Sequence, residues 1–519
     1  MRIKANYLVP SIADFLFLAL FVHLSFSVGK SLLNDCDTGY HIRAGEFILN
    51  THTIPRQDIF SFISPPLPWT AHEWLAEVIM ALVYRASGLT GVVIFFSFII
   101  ALMNYYYFRI LRTDKGNILL AAFFVLLATA TSQIHWLARP HIFSLVLMIT
   151  WYYILDAYYY RDKNLLYLLP PLMLLWVNLH GGFVTGFVLL GIYFLGCIVK
   201  LSVNTERNVY ATKTRNIGLT ILCCLLTALV NPFGYHILLF PFNLVSNEYI
   251  MDHVMEFLSP NFHEPLPFKY FLLLMIGILA VSKVRSNFVE AALILFFTNM
   301  ALYSARYIPL YAIIATPILM RHANSLIDDS SNWLVFFLKR RGDAFEAIDS
   351  AAKGFLWPTM GVLAVVFCTA DGRINYAFNP KVKPVAAVEF LKREPITGNM
   401  FDNDEFGDYI IYAAWPQYKV FFDGRSDMYG TERLKEYNKI AGFDTGWEDV
   451  LEKYNISWII FDAQSGLSRF LLRNDHWRLI YADKVAHIFV KNIPAYQYLI
   501  QKYNNVKPVP ETAKTKDEV

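Results

Sequence analysis

Eleven apolar stretches, near residues 11–29, 88–108, 117–135, 141–160, 164–179, 182–200, 216–232, 269–283, 287–303, 307–321 and 354–370, decide the solvent this chain must fold in. About 20 apolar residues cross a hydrocarbon core of roughly 30 Å as a helix, which satisfies its own backbone polar groups there. Several stretches are shorter, so the expectation is about eleven crossings. Composition agrees: 56% of the residues are hydrophobic and 17% charged, against roughly 45–50% and 25% in soluble domains. The runs Tyr105 to Tyr107 and Tyr158 to Tyr160 close apolar stretches just before Arg109 and Arg161, as interfacial aromatic belts do. The first run, Ile12 to Val28, is read as a crossing rather than a cleaved signal peptide, because no small-x-small cleavage site follows it.

With the N-terminus inside, eighteen Lys and Arg fall in inner connections, among them Arg2, Lys4, Lys115, Lys339, Arg340, Arg341 and Lys353. Six fall outside: Lys30, Arg43, Arg56, Arg85, Arg139 and Arg306. This positive-inside asymmetry, with an odd number of crossings, puts the C-terminal region outside the cytoplasm. The net charge of +3 is small and scattered, which excludes nucleic acid as a partner. Five cysteines give neither a disulfide framework nor a CxxC pattern.

Two outer segments are long, residues 30–87 and 233–268. In the first, Tyr40 to Leu49 and His72 to Tyr84 have helical spacing, divided by the turn Pro65-Pro66-Leu67-Pro68. After Cys368 the chain turns polar. Helices are expected at Pro384 to Arg393, Phe406 to Trp415 and Trp447 to Tyr454. Strands are expected at Asn399 to Phe401, Lys419 to Phe422 and Trp458 to Phe461, with a hairpin of Leu479 to Ala482 and His487 to Val490. The expected architecture is a polytopic α-helical membrane domain, residues 1–370 including the 30–87 loop, followed by a small extracytoplasmic α/β domain over 371–495 and a disordered polar tail over 496–519.

The densest chemistry lies in Asp35-Cys36-Asp37-Thr38-Gly39-Tyr40-His41, followed by Glu46, Asp58, His72, Glu73 and Glu77. Two carboxylates at i and i+2 can share a divalent cation, or one can deprotonate an acceptor hydroxyl while the other orients it. They can equally cap a helix and face water. Arg139-Pro140-His141, Asn178-Leu179-His180-Gly181-Gly182 and Arg306 interrupt apolar stretches on the same side. Arginine grips phosphate through its planar fork of donors, and two glycines allow a ligand close to backbone; snorkelling to headgroups is the bland alternative. Asn231-Pro232-Phe233-Gly234 reads as a helix stop. Asp423-Gly424-Arg425-Ser426-Asp427 follows an expected strand, either as a ligand-binding loop or as a turn closed by an Asp–Arg pair.

At these residues the chain resembles the GT-C superfamily of membrane glycosyltransferases. More narrowly, it resembles a bacterial group with the patterns DxDTGxHIxxGExI (Asp35 to Ile48), PxxDxFS (Pro55 to Ser61), HEWLxE (His72 to Glu77), RPH, NxHGG, NPxG and DGRxDMYG (Asp423 to Gly430). The resemblance implies transfer of a sugar from a polyprenyl-phosphate or diphosphate carrier to an acceptor at the outer face of a bacterial cytoplasmic membrane. It implies Asp37, Asp35 and His41 in catalysis. It implies substrate contacts from Arg139, His141, Asn178, His180, Arg306, His72, Glu73, Asp58 and Arg425, with Asp35 and Asp37 as ligands of a divalent cation, magnesium or manganese. The acceptor could be a glycan, a lipid or a protein; Trp415 is followed by Pro416 and Gln417, not by the WWDYG pattern of oligosaccharyltransferases, so a peptide acceptor is not implied. A lipid-linked-substrate transporter and a non-catalytic scaffold remain alternatives. The absence of a sequence repeat and of ionisable groups at helix centres weighs against the transporter.

Overall fold

The computed structural model describes residues 7–114, 116–203, 206–328, 332–352 and 354–509. Arg2, Lys4, Lys115, Lys353 and the last ten residues of the expected polar tail lie outside the described residues. The chain divides into two compact units, Met1–Leu32 with Ala86–Tyr376, and Leu33–Arg85 with Ala377–Val519. The division differs from the expected one, which grouped residues 30–87 with the membrane helices.

The first unit is a bundle of helices. Each of the eleven apolar stretches is helical over most of its length. Five described helices are long and apolar enough to cross a membrane: Ile12–Leu33, Trp74–Leu111, Ile118–His135, His141–Arg161 and Gly181–Val203. A sixth is added if Val335–Ala351 and Leu356–Ala370, bent by 72°, count as one. The others are shorter, like Pro267–Val281 and Phe288–Tyr303, or carry polar residues over much of their length, like Arg207–Ala228. Inside, Trp151 and Trp176 are fully buried against each other with ring centroids 5.6 Å apart. Leu126, Leu219, Leu222, Leu295 and Phe367 point outward, the reverse of a water-soluble bundle. The chain is a multi-pass membrane protein.

The second unit is built on a four-stranded sheet, β1 (Asn399–Asp402), β2 (Ile456–Asp462), β3 (Trp477–Ala482) and β4 (Ala486–Lys491), in the order β1-β2-β4-β3. β1 and β2 are parallel, with Met400 opposite Trp458; β2 and β4 are antiparallel, with Ile460 opposite Ile488. The run Trp458-Ile459-Ile460-Phe461 is buried throughout, as in a strand covered on both faces. The helix Asp37–Thr51 of the first long loop packs on the helix Asp404–Ala414. A Cβ on Gly39 would lie 2.7 Å from the Tyr412 Cβ, and one on Gly45 only 2.0 Å from the Glu77 carbonyl oxygen. Small residues at these two positions let the loop's helices close onto their neighbours, which is why residues 33–85 belong to this unit.

Two expectations are corrected. Lys419 to Phe422 is no strand: Val420 makes one isolated parallel bridge, to Ser61, and the Phe421 N–H donates to the Asp402 carboxylate at 2.6 Å. A side chain and a loop take the place of a neighbouring strand. The tail is ordered past residue 496, because Gln497–Lys502 is helical with Leu499 fully buried, and the Tyr496 hydroxyl donates to the Thr397 carbonyl at 2.6 Å.

Gly45→Ala is expected to cost about 1–3 kcal/mol through overpacking and so to lower the thermal unfolding midpoint of the detergent-purified chain. Gly191→Ala, whose Cβ would meet nothing within 4 Å, is the control and should melt like wild type. A Gly45→Ala chain indistinguishable from that control would show that the helices are not in contact there.

Candidate functional site

The helix Asp37–Thr51 begins where the Asp35 carboxylate accepts the Asp37 N–H at 2.6 Å, a local cap that also places negative charge at a helix N-terminus. The carboxylate oxygens of Asp35 and Asp37 come within 4.8 Å of each other. Asp37 is buried at the first helical position. A Cβ on Gly424 would lie 2.4 Å from Asp37 Oδ1 and 3.1 Å from Asp408 Oδ2, so both acids close on the bare Cα of that glycine. The other oxygen of Asp408 accepts the Gly424 N–H at 3.1 Å. Burial pushes the Asp408 carboxyl well above its ordinary range, and Asp37, Asp423 and Asp35 push the same way. These hard oxygen donors suit magnesium or manganese.

His41, one turn into the helix, is buried with Nδ1 3.2 Å from Glu77 Oε1 and Nε2 3.7 Å from Glu73 Oε2. His72 meets the same Glu73, Nε2 to Oε1, at 3.8 Å. The structure thus brings His41, His72, Glu73 and Glu77 together. Their interactions with one another tie the loop's two helices.

Asp58 and Arg425 also come together, on each other. Arg425 Nη2 lies 2.8 Å from Asp58 Oδ1 and 2.6 Å from Asp423 Oδ2, with the Asp58 and Arg425 side chains only 1% and 2% exposed. The guanidinium carbon sits 4.9 Å from the Phe60 ring centroid and 4.6 Å from that of Trp69, and the Tyr429 hydroxyl donates to Asp423 at 2.7 Å. Burial would raise the Asp58 carboxyl, but Arg425, Ser61 and the Phe60 N–H outweigh it and hold it down. Of the two sequence readings of Asp423 to Asp427, the turn closed by an Asp–Arg pair is the one present. The expectation that Asp58 and Arg425 contact substrate meets a buried pair closed on itself.

In the helical unit, Arg139 and Arg306 converge on one carboxylate. Arg139 Nη1 pairs with Glu256 Oε1, and Arg306 Nη1 lies 3.4 Å from Glu256 Oε2. Burial would raise this carboxyl; the two arginines hold it well below its ordinary range. His141 Nε2 is 2.7 Å from the His135 carbonyl, and its ring centroid is 6.4 Å from that of His180. His180 Nδ1 takes the Gly182 N–H at 2.9 Å and lies 2.7 Å from the Ser144 hydroxyl. Asn178 donates to the Leu174 and Val230 carbonyls and accepts from Asn231 at 3.1 Å, so the supposed helix stop also joins two helix ends. Burial pushes the Cys36 thiol up, with Asp408 and Asp35 adding to it against Lys383.

Sequence reasoning did not find Asp408. Its signal was one acid inside the apolar run Phe406 to Ile411. Glu256 lies in the second long outer segment, where His253 faces the Tyr249 carbonyl at 2.9 Å and Glu264 takes the Asn261 amide.

No protein-family model matches the chain, and no curated protein matches it in sequence. Solved structures do match in fold. The oligosaccharyltransferase of Archaeoglobus fulgidus in its apo form aligns with a TM-score of 0.57 at 13% identity, over 93% of this chain and 74% of that one. The oligosaccharyltransferase AglB of the same organism, in complex with an inhibitory peptide and a dolichol-phosphate, aligns with a TM-score of 0.57 at 11% identity, over 87% and 69%. ArnT from Cupriavidus metallidurans, bound to undecaprenyl phosphate, aligns at 0.49 and 11% identity over 93% and 98%, too distantly to argue from. The chain thus shares the fold of the Archaeoglobus fulgidus oligosaccharyltransferase.

Removing one acid from a buried ion pair costs roughly 3–5 kcal/mol, whereas replacing the whole pair with apolar side chains is often neutral. Asp58→Asn should therefore lower the yield of monodisperse protein and expose residues 377–509 to protease. Because Asp423 shares the same guanidinium, the rescue must remove all three charges: Asp58→Leu with Arg425→Met and Asp423→Asn should recover much of the loss. Wild-type protease resistance in Asp58→Asn would refute a structural role for the pair.

Proposed function

We propose that this protein is a GT-C-type membrane glycosyltransferase that moves a sugar from a polyprenyl-phosphate-linked donor to an acceptor at the extracytoplasmic face, by way of eleven crossings with the N-terminus inside. The observation that carries this reading is the convergence of Arg139 and Arg306 on a single carboxylate, Glu256. Two guanidiniums aimed at one anion form a grip that a phosphate, with more acceptor oxygens, would fill at least as well. The fold likeness supports the reaction class, and one of the structures sharing the fold holds a dolichol-phosphate.

In the proposed reaction the acceptor hydroxyl attacks the anomeric carbon and the bond from that carbon to the phosphate oxygen breaks. Asp37 takes the hydroxyl proton, with Asp35 orienting the helix start from which it projects. Arg139 and Arg306 meet the charge that develops on the departing phosphate. In the alternative role, Asp35 and Asp37, whose carboxylate oxygens come within 4.8 Å of each other, would hold a divalent cation through hard oxygen donors. When bound, such a cation stabilises developing negative charge. Asp58 and Arg425 are assigned to the framework of the second unit, and His41 to holding Glu73 and Glu77.

Asp37→Asn should lower transfer from a lipid-linked sugar by roughly 10²–10⁴-fold, the usual worth of a general base, with the melting midpoint unchanged; full activity in this variant sinks the assignment. For the grip, native mass spectrometry with undecaprenyl phosphate as probe should show binding lost in the Arg139→Ala, Arg306→Ala double variant. The uncharged alcohol, undecaprenol, should bind wild type and variant alike. Equal retention of the phosphate by both proteins would remove the arginines from donor binding. Chelation should abolish transfer, and added magnesium or manganese should restore it.

A further inference from the structure

The helix Trp333–Ala351 is inside out for a helix bathed in water. Its inward side is polar. Gly342 is buried so closely that a Cβ there would lie 2.3 Å from the Asn117 amide nitrogen. Glu346 pairs with Arg112, and the Asp349 carboxylate accepts the Ile12 N–H at 2.7 Å. Residues 342, 346 and 349 follow the i, i+4, i+7 spacing of one helix face. The opposite side is aromatic and bare: Trp333 is 72% exposed, Phe336 64% and Ile348 57%, with Phe337 and Phe345 also exposed. A surface helix in water turns its apolar stripe toward the protein. This one turns it away, so the medium outside must itself be apolar.

Direction and charge narrow that medium. The helix axis is bent by 72° from Leu356–Ala370, the apolar helix that follows. If that helix crosses the bilayer, the one before it lies near the membrane plane. Exposed Arg340 and Arg341 stand on this same outward side among the aromatic residues, and the Arg341 guanidinium carbon lies 5.2 Å from the Phe337 ring centroid. Outward aromatic residues interspersed with arginines, whose long stems let the guanidiniums reach the headgroups, suit a helix lying at the headgroup boundary of an anionic leaflet. We propose that Trp333–Ala351 is an in-plane membrane-surface helix whose aromatic face enters the bilayer boundary while Arg340 and Arg341 bind anionic phospholipid headgroups. The positive-inside asymmetry places that surface on the cytoplasmic leaflet.

The test uses the full-length protein in nanodiscs of phosphatidylcholine, with and without phosphatidylglycerol. The emission difference between wild type and Trp333→Phe reports residue 333. It should be quenched by phosphatidylcholine brominated in the acyl chains and be blind to aqueous iodide. Trypsin cleavage after residues 339–341 should slow roughly tenfold or more when phosphatidylglycerol is present. Arg340→Glu with Arg341→Glu, both at exposed positions, should melt like wild type and lose that lipid dependence at Lys339. Quenching by iodide alone would show that the face meets water and overturn the proposal. Shielding from both quenchers, with a dimeric mass, would assign the face to a second copy and also overturn it. Cleavage of the wild type at the same rate in both lipids would overturn it as well.

Discussion

A guanidinium buried to 2% exposure cannot be left without anions, and Arg425 organises the second unit around that requirement. Its two carboxylates come from distant parts of the chain, Asp423 two residues before it and Asp58 in the first long loop. Phe60 and Trp69 cover the cation from the loop side. Once Asp58 is held, the segment beside it is held too: Ser61 bridges Val420, and the Trp415 indole donates to the Ile59 carbonyl at 3.2 Å. Gly424 lies between the two residues that form the local Asp–Arg pair. The pair therefore sets the backbone on which Asp37 and Asp408 close, and the proposed base owes its position to a structural ion pair.

That dependence explains why the loop at 35–48 reads as more chemical than it is. Of its polar and small residues, Gly39 and Gly45 are sites of close approach, Asp35 caps the helix start, and His41 is engaged by two glutamates. Asp37, at the first helical position, closes on Gly424. A dense motif in one sequence mixes framework with function, because both require unusual residues where backbones approach closely.

The helices were legible because lipid allows few alternatives: an apolar stretch must be helical, and each of the eleven is so over most of its length. The buried strand around Trp458 to Phe461 was legible from its unbroken apolar run. Lys419 to Phe422 carried the same apolar signal, yet a strand needs a partner along its length, and here a loop residue and the Asp402 side chain fill that place. The helix Ser426–Ala441 was missed because it is polar and interrupted at Gly430, whose φ of +69° is non-helical. Leu499 was hidden in a charged tail. The amphipathic spacing of Tyr40 to Leu49 announced a covered face without naming the cover, and only the fold brings in Asp404–Ala414 and, with it, Asp408. Local patterns specify elements; which elements meet depends on contacts hundreds of residues apart.

The arginine grip shows the same logic in electrostatic form. Two guanidiniums gathered in one place repel each other unless an anion lies between them, and Glu256 fills that role while holding its own carboxyl well below the ordinary range. A site that already holds an anion has its donors oriented and partly desolvated before any ligand arrives. Exchanging a carboxylate for a phosphate oxygen then trades one charge-assisted hydrogen bond for another and requires no new cation to be stripped of water. On the proposed reading, Glu256 keeps Arg139 and Arg306 together between turnovers. The phosphate displaces it only while the lipid is bound, so the grip is preorganised for an anion without closing on one permanently.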